Sequence, residues 1–178
     1  MSFLKLVHRR RSCRRYTDRP VSRESLCRCL EAARLAPSAC NAQPWRFIVV
    51  EDGPLRKKLA QAAFSGTGGM NAFAKEAPAL VVVVRETMGY ASLMGAAFKG
   101  TPYSLIDLGI ACEHFILQAE EEGLGTCWIG WFNKRRVERI LNVPFYRNID
   151  IIISVGRPAE GLDPKKKRKE LFEIGEFR

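Results

Sequence analysis

The chain has 178 residues, 47% of them apolar and 27% charged, which suits one globular domain with a real core and excludes an intrinsically disordered chain. Its formal charge of +10 favours anionic partners of any size, and alone selects neither nucleic acid nor a phosphorylated small molecule. The opening residues lack a signal-peptide core, and the longest apolar run, 77–84, is far short of the roughly 20 residues that span a bilayer, so a cytoplasmic protein with no membrane partner is expected.

Ser2 is placed to cap a first helix with apolar positions at Phe3, Leu6 and Val7, running into a cluster of arginines. Ser22 caps a second helix with Leu26, Leu30 and Ala33 on one face, stopped by Pro37. Residues 36–44, APSACNAQP, read as loop by composition. A buried strand is expected over 46–51, a helix over 55–64, a flexible glycine-rich break over 65–69 and the clearest strand, with four valines, over 79–85. A lid-like loop is expected at about 86–103. The longest helix spans 104–122 and is apolar on more than one face, so it should be widely buried. A short strand over 126–132, a basic helix capped by Asn133 up to Asn142, a core strand over 148–156 and an extended lysine-rich tail at about 157–178 complete the chain. No repeat or linker divides it, so residues 1–178 are read as one α+β domain with a central mixed sheet flanked by helices.

The chemistry-bearing signals are few. Six cysteines without a CxxC pair and only two histidines argue against a disulfide scaffold and against a metal site. No Walker, GxGxxG or nucleophile-elbow pattern is present, and Gly66–Met70 lacks the lysine of a phosphate loop. His114, inside the long helix, reads as an interior histidine. With no recognisable catalytic constellation, an enzyme built on this chain would leave the hard chemistry to a cofactor.

The outstanding feature is HRRRSCRRY, His8 to Tyr16, with five arginines among residues 9–15. On an extended segment alternate residues share a side, which places Arg10, Ser12 and Arg14 together. Two guanidinium forks around a hydroxyl suit one phosphate monoester. The charge pattern alone leaves a solvated face equally open.

Four ordered stretches resemble the FMN-dependent nitroreductase family: RRRSCRRYTDRPV, ARLAPSACNAQPWRFIVVED, DLGIACEHFILQAEEEGLGTCWIGWF and ISVGRPAEGLDPKKKRKEL. The resemblance implies a nitroreductase-like fold, an obligate homodimer and two interfacial FMN sites lined by both subunits. By position, Arg10, Arg11 and Ser12 would serve the FMN phosphate, and Arg14 the pyrimidine edge of the flavin. Lys166 and Arg168 would close the phosphate site from the C-terminal segment. Pro37, Ser38, Ala39 and Asn41 match the loop given by the partner subunit, and Asn71 the residue that bonds the pyrimidine carbonyl. Gly130 and Trp131 fall at the turn whose backbone N–H approaches flavin N5. The family commonly has two glycines there, and this chain departs from it with Trp131. The resemblance further implies ping-pong hydride transfer from NAD(P)H to nitroaromatics, quinones or similar acceptors, with no catalytic side chain. Same-fold chemistries, reductive dehalogenation and flavin fragmentation, stay open. A basic nucleic-acid-binding protein is the alternative of another class, disfavoured by the lack of any nucleic-acid motif or interleaved aromatics.

Overall fold

The computed structural model describes residues 2–86, 101–159 and 167–178. The helices are α1 (Phe3–Arg9), α2 (Arg23–Arg34), α3 (Gly53–Ala63), α4 (Tyr103–Glu121) and α5 (Lys134–Leu141), and the strands β1 (Trp45–Val50), β2 (Ala79–Arg85), β3 (Gly125–Ile129) and β4 (Asn148–Gly156). The strands form one sheet in the order β1-β2-β4-β3, every neighbouring pair antiparallel. The expected mixed sheet is thus antiparallel in its strands, and among the described residues its parallel element is one isolated bridge between Ser12 and Thr126 on the outer edge of β3.

β2 reads as unbroken valine because both of its faces are covered. Leu80, Val82 and Val84 join Leu59, Phe64, Ala74, Cys127 and Val137 on the side of α3 and α5. Ala79, Val81 and Val83 join Leu26, Leu108, Cys112 and Phe115 on the side of α2 and α4. Phe47 stacks on Phe115 with ring centroids 5.9 Å apart, tying β1 to α4. Between Val83 and Val84 the β2–β4 register shifts, and Asp150, next to that irregularity, pairs with Arg85 at 2.9 Å.

Ser22, Asp52 and Asn133 each accept a first-turn N–H and so cap α2, α3 and α5. Three expectations are corrected. Ser2 precedes α1 but makes no side-chain cap bond. The break expected at 65–69 opens a 3₁₀ stretch, Gly66–Glu76, that is kinked at Asn71 and whose Ala74 is fully buried in the core. The strand expected over 126–132 stops at Ile129, because the chain then turns so that the Asn133 N–H donates to the Ala63 carbonyl at 2.9 Å. Most of the expected lid at 86–103, and Lys166, lie outside the described residues.

Candidate active site

The arginine segment is held along the edge of β3. The Cys13 N–H donates to the Thr126 carbonyl at 2.7 Å, and the Thr17 N–H to the Arg157 carbonyl at 2.9 Å. Cys13 and Tyr16 turn into the core, at 3% and 9% exposure, while Ser12 and Arg14 stay exposed. The Tyr16 hydroxyl donates to the Cys13 carbonyl at 2.7 Å and lies 2.8 Å from Ser154 Oγ, which pins the segment to β4. Burial raises the Tyr16 phenol well above its ordinary value, so it stays a protonated donor. The close approach needs glycines on the sheet. A Cβ at Gly125 would fall 2.7 Å from Cys13 Sγ, and one at Gly156 would fall 2.8 Å from Tyr16 Cδ1.

Two buried thiols, Cys127 and Cys13, feel the charges of this segment. Burial pushes the Cys127 thiol up, opposed by the charges of Arg14 and Arg10 and by a hydrogen bond from Ser12. Burial likewise raises the Cys13 thiol, opposed by a bond to the Arg15 carbonyl and by the charge of Arg11. Arg10, Ser12 and Arg14 thus all act on Cys127, and Arg11 acts on Cys13.

The 3₁₀ run and the end of β3 meet next to this cluster. Asn71 Nδ2 donates to the Trp131 carbonyl at 2.9 Å. The Arg14 guanidinium lies 5.9 Å from the centroid of Phe73 in the same run. Trp131 is 62% exposed, so its ring is not packed beneath α5. A Cβ at Gly130 would meet nothing within 4 Å, so the backbone there faces open space.

The loop with Pro37, Ser38, Ala39 and Asn41 lies against α4. Cys40, Asn41 and Gln43 have φ of 52°, 51° and 46°, the left-handed region, and are held there by local bonds. The Gln43 N–H donates to Ser38 Oγ at 3.0 Å, and Gln43 Nε2 to Asn41 Oδ1 at 3.1 Å. The Ala39 N–H donates to Asp107 Oδ1 at 3.0 Å. Arg168 lies in the exposed C-terminal segment, donating to the Lys167 carbonyl at 3.0 Å. Sequence reading did not single out Phe73, Tyr16, Ser154 or Asp107. Only Asp107 carried a signal, as an acid inside a helix otherwise apolar on several faces.

An α+β sheet with this edge-held basic segment defines an oxidoreductase class once set beside known proteins. The Nitroreductase family model matches residues 7–69 and 66–157. A relative from Archaeoglobus fulgidus that carries the name NADH dehydrogenase/NAD(P)H nitroreductase is 33% identical, over 90% of this chain and 87% of its own. An iodotyrosine deiodinase from Thermotoga neapolitana is 30% identical, over 91% of this chain and 90% of its own. The solved structure of an FMN-dependent nitroreductase from Clostridium difficile R20291 superposes with a TM-score of 0.76 at 28% identity, covering 98% of each chain. The chain belongs to the nitroreductase family.

Proposed function

We propose that the chain is an FMN-dependent NAD(P)H oxidoreductase that reduces nitroaromatics, quinones or similar acceptors and works as a homodimer. The observation that carries this reading is the arginine segment held along the edge of β3 through Cys13 and Thr126, with Arg14 against Phe73 and the bonded pair Asn71–Trp131 in the same region.

The donor set fits FMN. Arg10 and Ser12 offer a guanidinium fork and a hydroxyl to a phosphate, with Arg11 adding charge. Arg14, exposed and next to Phe73, offers a cation to the electron-rich edge of a reduced flavin in a partly dry site. Asn71 keeps its side-chain oxygen as an acceptor while its amide nitrogen fixes Trp131. The backbone at Gly130 faces open space that a flat ring system could use. Lys166 and Arg168 are assigned to the phosphate by position, and Pro37, Ser38, Ala39 and Asn41 to the flavin of the second subunit. Bound FMN would carry two electrons as a hydride from NAD(P)H to the acceptor in two successive half-reactions. The chain's own part is to bind, orient and neutralise charge.

Purified or FMN-reconstituted protein should show the visible spectrum of oxidised flavin, bleach with NADH or NADPH, and recover with a nitroaromatic or quinone. Protein that stays colourless after reconstitution overturns the reading. The deiodinase relative at 30% identity favours a second reading, reductive dehalogenation. Faster reoxidation of the reduced protein by a halotyrosine than by a nitroaromatic or quinone would select it.

A further inference from the structure

Asp107 is an unusual residue for its surroundings. It sits on α4 beside Leu108 and Ala111 and is 3% exposed. Oδ1 accepts the Ala39 N–H at 3.0 Å, whereas Oδ2 is buried with no hydrogen-bond partner among the described residues. Burying a carboxylate with one oxygen unmet costs free energy that an apolar residue on this helix would not. What the carboxylate holds is the first N–H of the Ala39–Asn41 turn. That turn is itself costly, since Cys40, Asn41 and Gln43 all take left-handed backbone without being glycine. Strained backbone persists only where its surroundings over-determine it. The bonds within the loop fix its shape, and the Asp107 bond fixes its place on the body of the protein.

We propose that Asp107 is a positioning residue: it docks the loop through Ala39 so that Ser38 and Asn41 are presented to the flavin of the second subunit. The proposal rests on the flavin reading given above for Ser38–Asn41. Asp107 acts through the loop and touches no reacting atom.

The test combines amide hydrogen exchange over residues 38–43 with FMN affinity in the reconstituted full chain. Asp107→Ala should speed exchange in this segment and weaken FMN binding, each by about tenfold or more, the scale of losing a charge-assisted bond. Asp107→Asn, which keeps an oxygen for the Ala39 N–H, should recover most of both. Leu108→Ala, a cavity on the same helix, should lower thermal stability without selective exchange at 38–43, which separates positioning from general destabilisation. Ala39→Pro removes the donor itself. It follows an extended Ser38 and opens a helical turn, where proline is tolerated, so it should reproduce the FMN loss even if Asp107→Ala fails to fold. Exchange in Asp107→Ala no faster than in Leu108→Ala overturns the docking role. Faster exchange with unchanged FMN affinity overturns the link to the flavin. If the wild-type chain binds no FMN, the functional reading fails with that link, while the exchange comparison still decides whether Asp107 holds the loop.

Discussion

Arg9 and Arg10 are neighbours with different surroundings. Arg9 Nε donates to Glu120 Oε1 at 2.6 Å and a second nitrogen to the Glu120 carbonyl at 2.5 Å, so it serves the end of α4. Arg10 acts on Cys127 alongside Ser12 and Arg14. Arg10→Ala and Arg168→Ala should each weaken FMN binding by about 1.5–3 kcal/mol, the scale of a charge-assisted hydrogen bond. Riboflavin, which lacks the phosphate, should bind the wild type and both variants alike. Arg9→Ala should leave FMN affinity unchanged and cost no more than about 1 kcal/mol of stability, as exposed ion pairs do. Fluorescence titration of both ligands checks all three; an Arg9 loss equal to the Arg10 loss would replace a socket with diffuse attraction. Trp131 gives a second expectation. Its carbonyl is fixed by Asn71 and its ring is mostly exposed, which places a bulky flat group where the family commonly has glycine. Trp131→Gly should raise kcat/KM for bulky nitroaromatics by roughly tenfold, a change typical of reshaping an apolar pocket, and leave reduction by NAD(P)H unchanged. Stopped-flow measurement of the two half-reactions separates these steps, and unchanged acceptor selectivity would assign the ring to packing against a partner.

Among the elements, α2 and α4 are joined by an ionic clasp. Arg28 reaches both Glu122 oxygens at 2.7 and 2.6 Å, and Ser25 and Gln118 add bonds at 3.0 and 3.1 Å. The Arg28 bond, with help from Ser25 and Gln118, lowers the Glu122 carboxyl to about 2. A carboxyl lowered on folding adds stability that is present above its unfolded value, near 4.5, and lost as pH falls through about 2. Glu122→Gln should therefore flatten the stability profile between these limits and leave it unchanged in shape at neutral pH, measured by urea unfolding across pH 2 to 7. The elements themselves were legible where pattern and burial agree. The valines of β2 and the many-sided apolar α4 are examples, since a strand or helix covered on several faces must be apolar on all of them. The 3₁₀ run at Gly66–Glu76 was not, because glycine-rich composition encodes freedom, while its order comes from the burial of Ala74 and from Asn71 reaching Trp131, 60 positions away. The same limit applies to the site. Alternation drew attention to Arg10, Ser12 and Arg14, but Asp107 gains its meaning only from a loop 68 positions earlier.

At the scale of the molecule, the charge of +10 is not one patch. Arg9, Arg23, Arg28, Arg34, Arg85 and Arg147 each pair with a carboxylate on the chain's own surface. The exposed apolar surface is the stronger feature. α1, α2 and α4 border an apolar groove of 620 Å³ that includes Phe3, Leu6, Leu35, Ile110 and Leu117. Leu105 and Ile106 stand exposed at the start of α4, and Leu171, Phe172, Ile174 and Phe177 are exposed in the C-terminal segment. Surface of this kind, spread over three helices and a tail, is seldom left to water in a stable protein, and the dimer proposed above would cover it with a second copy of the chain. Sedimentation at micromolar concentration should accordingly find a dimer. Replacing Leu105 and Ile106 by glutamate should split it, because two desolvated carboxylates would enter the contact, and folding should survive because both residues are exposed in the single chain. FMN affinity should fall together with the dimer, since each site would lose the loop supplied by the other subunit. A folded monomer that keeps wild-type FMN affinity would show that one chain holds the flavin alone.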